Sequence, residues 1–209
     1  MRIMGRCYLA IGILPSIMPN LYMLAGPNGA GKTTAAYTLL PEVMGTREFV
    51  NADEIARGLS PFNVESVAFE AGRLMLQRID YLMNKGVDFG LETTLSTRSY
   101  VQTIQRARQA GYTISLYYIW IPSAEVSKTR VAQRVARGGH NIPPDVIERR
   151  HGRSLFNLVN LYMPICDYFT VIDNAGTMPQ IVITGGIGLE NNVFTVEIWE
   201  TIQAYENKR

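Results

Sequence analysis

The chain has 209 residues, 47% of them hydrophobic and 18% charged, with a formal net charge of +2 at pH 7. That balance belongs to one globular domain able to bury a core, and it excludes a disordered, collagenous or low-complexity chain. So small a net charge supplies no global field for nucleic acid or an anionic membrane.

The chain opens with a basic stretch and an apolar run over 7–14. The run is far too short to span a bilayer, and no clean cleavage site follows it. Met18 offers a start immediately before the first strand, so 1–17 read as an upstream-start artefact or a loose tail. We take 1–19 as an N-terminal tail and 20–209 as a single domain. Residues 21–25 are an apolar run of the kind that forms a buried parallel strand. A glycine-rich loop follows and opens a helix that Pro41 should stop. A second strand covers 48–51, with Ala52 and Asp53 at its carboxyl end. The apolar spacing over 64–85 predicts one long helix, stopped by Gly86. A third strand covers 87–92, and a helix over 99–110 closes at Gly111. The fourth strand, 113–121, ends at Pro122, and Ser123 caps a helix over 124–137. A loop over 138–143 leads to a helix from Pro144 to about Tyr162. The fifth strand covers 168–172, with 180–184 as a candidate sixth beyond the five and a helix over 196–205 at the end of the chain. Strands alternating with helices predict an α/β domain of three layers. At its centre is a mostly parallel five-stranded sheet with helices on both faces, and an arginine-rich helical lid covers about 130–153.

The motif G-x-x-x-x-G-K-[ST] is met by Gly26-Pro27-Asn28-Gly29-Ala30-Gly31-Lys32-Thr33, with Thr34 next. In such a loop backbone N–H groups close around phosphates, and the helix N-terminus adds partial positive charge. Lys32 is placed for the β- and γ-phosphates of ATP, and the Thr33 hydroxyl for Mg2+. Ligands of open α/β sheets bind beyond the strands' carboxyl ends. Asp53 is therefore placed to take the proton of an acceptor hydroxyl, although a plain helix N-cap is a competing use. Glu92, Thr93 and Thr94 end the third strand at the same edge, with Arg98 close by, and read as a hydrogen-bonding set for a polar substrate.

Sixteen of the 20 basic residues are arginine, and six of these lie between Arg130 and Arg153. Arginine's planar fork of donors suits phosphate. Arg130, Arg134 and Arg137 share one helix face, and Arg149, Arg153 and Asn157 share another. The Gly138-Gly139 pair between them reads as the hinge of a lid that folds over a triphosphate. Cys7 and Cys166 show no metal spacing and read as free thiols in a reducing cytoplasm.

With the phosphate loop, Asn51-Ala52-Asp53 with Arg57, Leu91-Glu92-Thr93-Thr94 and the run from Arg130 to His140 assembled, 20–175 resembles the zeta-toxin family of P-loop kinases. Glu92-Thr93-Thr94 departs from the Glu-Gly-Thr of the better-known toxins, and the lid loop resembles a chromosomal subgroup. The resemblance implies ATP-dependent phosphorylation of a sugar hydroxyl on a UDP-activated amino sugar. It implies that Asp53 is the general base, that Glu92 holds substrate together with Asn51 and Arg57, and that Arg134 and Arg137 contact phosphates. It further implies a small antitoxin as a partner. A transporter-type ATPase has a similar loop, but no LSGGQ-like segment is present, and the nearest apolar strand, Val171-Ile172-Asp173-Asn174, lacks the second acid. A nucleotide-binding module without chemistry stays open. Nucleic acid is disfavoured, since no aromatic stacking platform accompanies the arginines.

Overall fold

The computed structural model describes residues 18–207. The expected tail over 1–17, with Cys7, lies outside the described residues. Seven strands form one sheet in the order β2-β3-β1-β4-β5-β6-β7: β1 (Asn20–Ala25), β2 (Phe49–Val50), β3 (Phe89–Thr93), β4 (Thr113–Trp120), β5 (Tyr168–Asp173), β6 (Gln180–Gly186) and β7 (Leu189–Val193). The first five are parallel and the last two antiparallel. The expected five-stranded sheet thus corrects to seven. β7 reads LENNV and is exposed along its whole length, so no apolar pattern announced it.

Helices α1 (Lys32–Glu42), α2 (Ala52–Leu59), α3 (Ala68–Lys85), α4 (Tyr100–Gln109), α5 (Ala124–Ala136), α6 (Pro144–Asn157) and α7 (Val196–Gln203) accompany the strands. Parallel neighbours need crossovers, and the helices supply them. Pro41 lies inside the last turn of α1 instead of stopping it. The predicted long helix over 64–85 is a 3-10 turn, Val64–Val67, followed by α3, which ends on left-handed Gly86 as expected. After α6 the chain continues through a π turn, Leu158–Tyr162, and a 3-10 turn, Met163–Ile165.

β1, β3 and β4 are almost wholly buried and form the centre of the main core with Ile79, Leu82, Ile104, Leu155 and Leu158. The second face packs Ala36, Leu39 and Leu40 of α1 against Tyr22, Leu24 and Tyr117. This sandwich fixes the strands' carboxyl ends. Chain order reverses at β1, because β3 lies on one side of it and β4 on the other. Such a reversal opens a crevice beyond the strand ends. No helix among the described residues is long and apolar enough to cross a membrane.

Candidate functional site

The glycine-rich loop leaves the end of β1 into that crevice. Gly26 has φ +142°, and a Cβ there would collide with the carbonyl oxygen of Ile119 on β4. Only glycine lets the loop turn so close to the neighbouring strand. The amide of Asn174, just past β5, donates to the Ala30 carbonyl at 2.8 Å and ties the loop down from the other side.

Parallel register does the rest. Leu24 is paired with Glu92 and Val50 with Leu91, so the ends of β1, β2 and β3 lie side by side. Glu92 becomes the hub. Its Oε2 accepts from Thr33 Oγ1 at 2.7 Å and from Asn51 Nδ2 at 2.8 Å, while Oε1 lies 3.6 Å from Lys32 Nζ. Lys32 Nζ also donates to the Pro27 carbonyl at 3.1 Å. Both charged side chains are nearly sealed, at 7% and 10% exposure. Burial disfavours both charges, lowering the Lys32 pKa and raising that of Glu92, and the attraction between them opposes each shift. The structure therefore brings Glu92 onto the lysine and hydroxyl of the phosphate loop, at the same strand end as Thr93 and Thr94.

The cap of α2 is Asn51, not Asp53: Asn51 Oδ1 accepts from the N–H groups of Asp53 at 2.8 Å and Glu54 at 3.4 Å. Relieved of capping, the Asp53 carboxylate makes no hydrogen bond or ion pair among the described residues and faces a cavity of about 780 Å³. That volume suits a small-molecule site. Lys32, Thr33, Asn51, Glu92, Thr93 and Thr94 line it, as does Arg57, which pairs with Glu54 at 3.6 Å. Arg98 is exposed and does not line the cavity. Sequence reasoning missed the wall of hydroxyls at Ser96, Thr97, Ser99 and Tyr100, and also Gln133. The Thr/Ser-rich run over 93–99 was the available signal.

Across the cavity stand α5 and α6. Arg134 and Arg137 line it. Arg130 also borders it, but its guanidinium donates to the carbonyls of Asn174 (2.8 Å) and Ala175 (3.3 Å), which makes it a tether to the end of β5. On α6 the phase differs from the expectation. The buried face is Ile147, His151, Ser154, Leu155 and Asn157, which goes with Arg150 lining the cavity, while Arg149 and Arg153 are exposed and do not line it. Asn157 is buried on the same side as Arg150 and shares no surface with Arg149. None of the six arginines from Arg130 to Arg153 forms an ion pair with a carboxylate among the described residues. Lys128 instead joins the two helices, reaching Glu125 of α5 at 2.8 Å and Glu148 of α6 at 2.9 Å.

The Gly138-Gly139 pair ends α5. Gly138 (φ +83°) donates to Val135 and Gly139 to Arg134, the paired bonds of a Schellman stop. A Cβ on Gly139 would lie 2.5 Å from Arg134 Cγ, so glycine here also makes room for that side chain. Arg134 donates to the His140 carbonyl at 2.8 Å, yet its Nε is buried without a partner, as is Asn28 Oδ1 in the phosphate loop. Buried polar atoms are rarely left unpaired, and two of them on residues lining one cavity suit a polar ligand.

A family model described as Zeta toxin matches residues 12–178. An uncharacterised protein of Haemophilus influenzae is 30% identical over 126 residues, covering 60% of this chain and 88% of that protein. Among solved structures, a chain of the AvrRxo1-ORF1:AvrRxo1-ORF2 complex with sulphate ions superposes with a TM-score of 0.73 at 21% identity. The match covers 90% of this chain and 65% of that one, so the present chain spans about two thirds of its length. The PezAT chromosomal toxin-antitoxin system of Streptococcus pneumoniae superposes with a TM-score of 0.65 at 18% identity, over 97% of this chain and 91% of that one. At these identities the structural likeness speaks for the fold alone.

Proposed function

This chain belongs to the zeta toxin family, and on that premise we propose that it is an ATP-dependent kinase that moves the γ-phosphate to a hydroxyl of a small molecule. One observation carries the reading: the phosphate-loop lysine and the Asp53 carboxylate, which has no hydrogen bond or ion pair among the described residues, line a single cavity. The donor half is the loop from Gly26 to Thr34. Its N–H groups and Lys32 receive the triphosphate of ATP. Arg134, Arg137 and Arg150, free of carboxylate partners, neutralise charge that builds on the transferred group.

In the transfer, the acceptor oxygen forms its bond to the γ-phosphorus while the bond from that phosphorus to the β-γ bridging oxygen breaks. The acceptor's proton passes to Asp53, and ADP leaves. The phosphate loop positions, the arginines stabilise, and Asp53 receives the proton. The Thr33 hydroxyl and the Glu92 carboxylate are adjacent hard oxygen donors, a set that fits Mg2+, with Thr33 as its protein ligand. Held there, Mg2+ would supply positive charge against the phosphate oxygens of the nucleotide.

The acceptor class that family membership suggests is a UDP-activated amino sugar. A small antitoxin protein is the matching partner, in line with PezAT, a toxin-antitoxin system by name, and such a pair would act in the cytoplasm. The test uses labelled ATP and a panel of UDP-sugars, antibiotics, nucleosides and oligonucleotides. Label should appear in one small alcohol and vanish with Asp53→Asn, while ATP affinity holds. Nucleotide binding without transfer to any acceptor would leave the chain a binding module and refute the proposal.

A further inference from the structure

We infer that Ser154 and Asn157 of α6 are positioning residues for the phosphoryl acceptor: they hold the loop after β3 in a left-handed turn that presents its hydroxyls to the cavity. This rests on the kinase reading above. Leu95 has φ +54°, the one non-glycine positive φ among the described residues, and it is completely buried. Leucine has no polar group with which to stabilise that conformation itself, so the surroundings must impose it.

They do so through the backbone. The Leu95 N–H donates to Thr93 Oγ1 at 3.0 Å. The Leu95 carbonyl accepts from Asn157 Nδ2 at 2.6 Å, and the Thr94 carbonyl accepts from Ser154 Oγ at 2.6 Å. Ser154 is fixed in turn by the Tyr118 hydroxyl, 2.8 Å away. In the π turn beyond α6, the Tyr162 hydroxyl donates to the Thr97 carbonyl at 2.7 Å. Three consecutive turns of one helical run thus grip three carbonyls of one loop, and Ser154, Asn157 and Tyr162 are all buried.

Satisfying buried carbonyls would not by itself call for a left-handed leucine, since an ordinary turn accepts the same donors. What the turn achieves is separation. The Leu95 side chain enters the main core with Leu155, Leu158 and Tyr162, while Thr94, Ser96 and Thr97 line the cavity. Thr94 and Ser96 hydroxyls on either side of Leu95 lie 2.8 Å apart as a pair. One turn before Ser154, α6 also carries Arg150 to the cavity. A single helix therefore sets both a phosphate-side charge and the hydroxyl surface of the acceptor wall.

The experiment compares the unsubstituted protein with Asn157→Ala and Tyr162→Phe, the second losing one oxygen and no ring packing. Steady-state transfer from labelled ATP to a UDP-linked amino sugar is measured with each substrate varied, and amide hydrogen exchange is followed at residues 94–97. The acceptor KM should rise about tenfold in Asn157→Ala and about threefold in Tyr162→Phe, with the ATP KM within about twofold of the parent. The loop amides should exchange faster in both. An unchanged acceptor KM, or an ATP KM that rises in parallel, overturns the inference. Should the parent label none of the acceptors in the panel above, the kinase reading fails, and with it the acceptor role given to this loop. Where an acceptor is labelled, unaltered protection at 94–97 in Asn157→Ala sinks the positioning claim, and lost protection together with the raised acceptor KM sustains it.

Discussion

Removing the charge of Glu92 perturbs the centre of the site. Glu92→Gln leaves one amide oxygen for Thr33 and Asn51, and turns an NH2 group toward Lys32, donor against donor. Lys32 then stays buried at 7% exposure with its main countercharge gone. At 3.6 Å, an attraction of roughly 4–5 kcal/mol is lost if the effective dielectric is about 20. Breaking a buried pair from one side costs about 3–5 kcal/mol in other proteins. Residual exposure of both groups places the expectation near the lower figure, about 3 kcal/mol. For a domain of this size that lowers Tm by roughly 6–12 °C. Urea unfolding at constant slope should give the same loss for Glu92→Gln. The double variant Lys32→Met/Glu92→Gln should be less damaged than the two single losses added together, by about 2 kcal/mol or more. Additivity within about 0.5 kcal/mol would mean that the two charges are already screened by solvent, and the account of the hub would be wrong.

His151 is buried on α6 with Nε2 3.4 Å from the Ile121 carbonyl, and burial holds its pKa below the ordinary 6.5. A depressed histidine favours its neutral form in the fold. Its stabilising contribution is complete above about pH 6.5 and is lost as pH falls from there toward the folded-state pKa. Thermal melts between about pH 7.5 and pH 5.5 should show a steeper loss for the parent than for His151→Gln, and parallel losses would contradict this. Arg150→Ala should lower kcat/KM for phosphoryl transfer about 100-fold, whereas Arg149→Ala stays within about twofold. Equal effects in steady-state assays would show that the α6 face has been misidentified.

Local rules made the phosphate loop legible, because glycine spacing and a strand-to-helix change are written in adjacent residues. The five apolar strands were legible for the same reason. What eluded sequence reasoning depends on partners far away in the chain. The periodicity of α6 was visible, but its phase was fixed by packing onto β4 through the Tyr118–Ser154 contact, and that put Arg150 in place of Arg149 and Arg153 at the cavity. Asn51 and Asp53 both suit an N-cap chemically, and the pairing of Asn51 with Glu92, 41 positions away, goes with the cap that formed. Arg130 carries the same charge as Arg134 but meets the end of β5, 44 positions on. The Gly138-Gly139 pair, read as a hinge, also makes the hydrogen-bonded stop of α5, a use the sequence reading did not include.

The loop over 94–97 owes its backbone shape to side chains borrowed from α6 and the turn beyond it. Its own outward residues are correspondingly unburdened. Exchange of Ser96 or Thr97 for a smaller, larger or charged residue alters what the cavity offers an incoming alcohol and leaves the carbonyl grips in place. Directed diversification at those two positions is therefore a route to altered acceptor range within an unaltered nucleotide-binding frame.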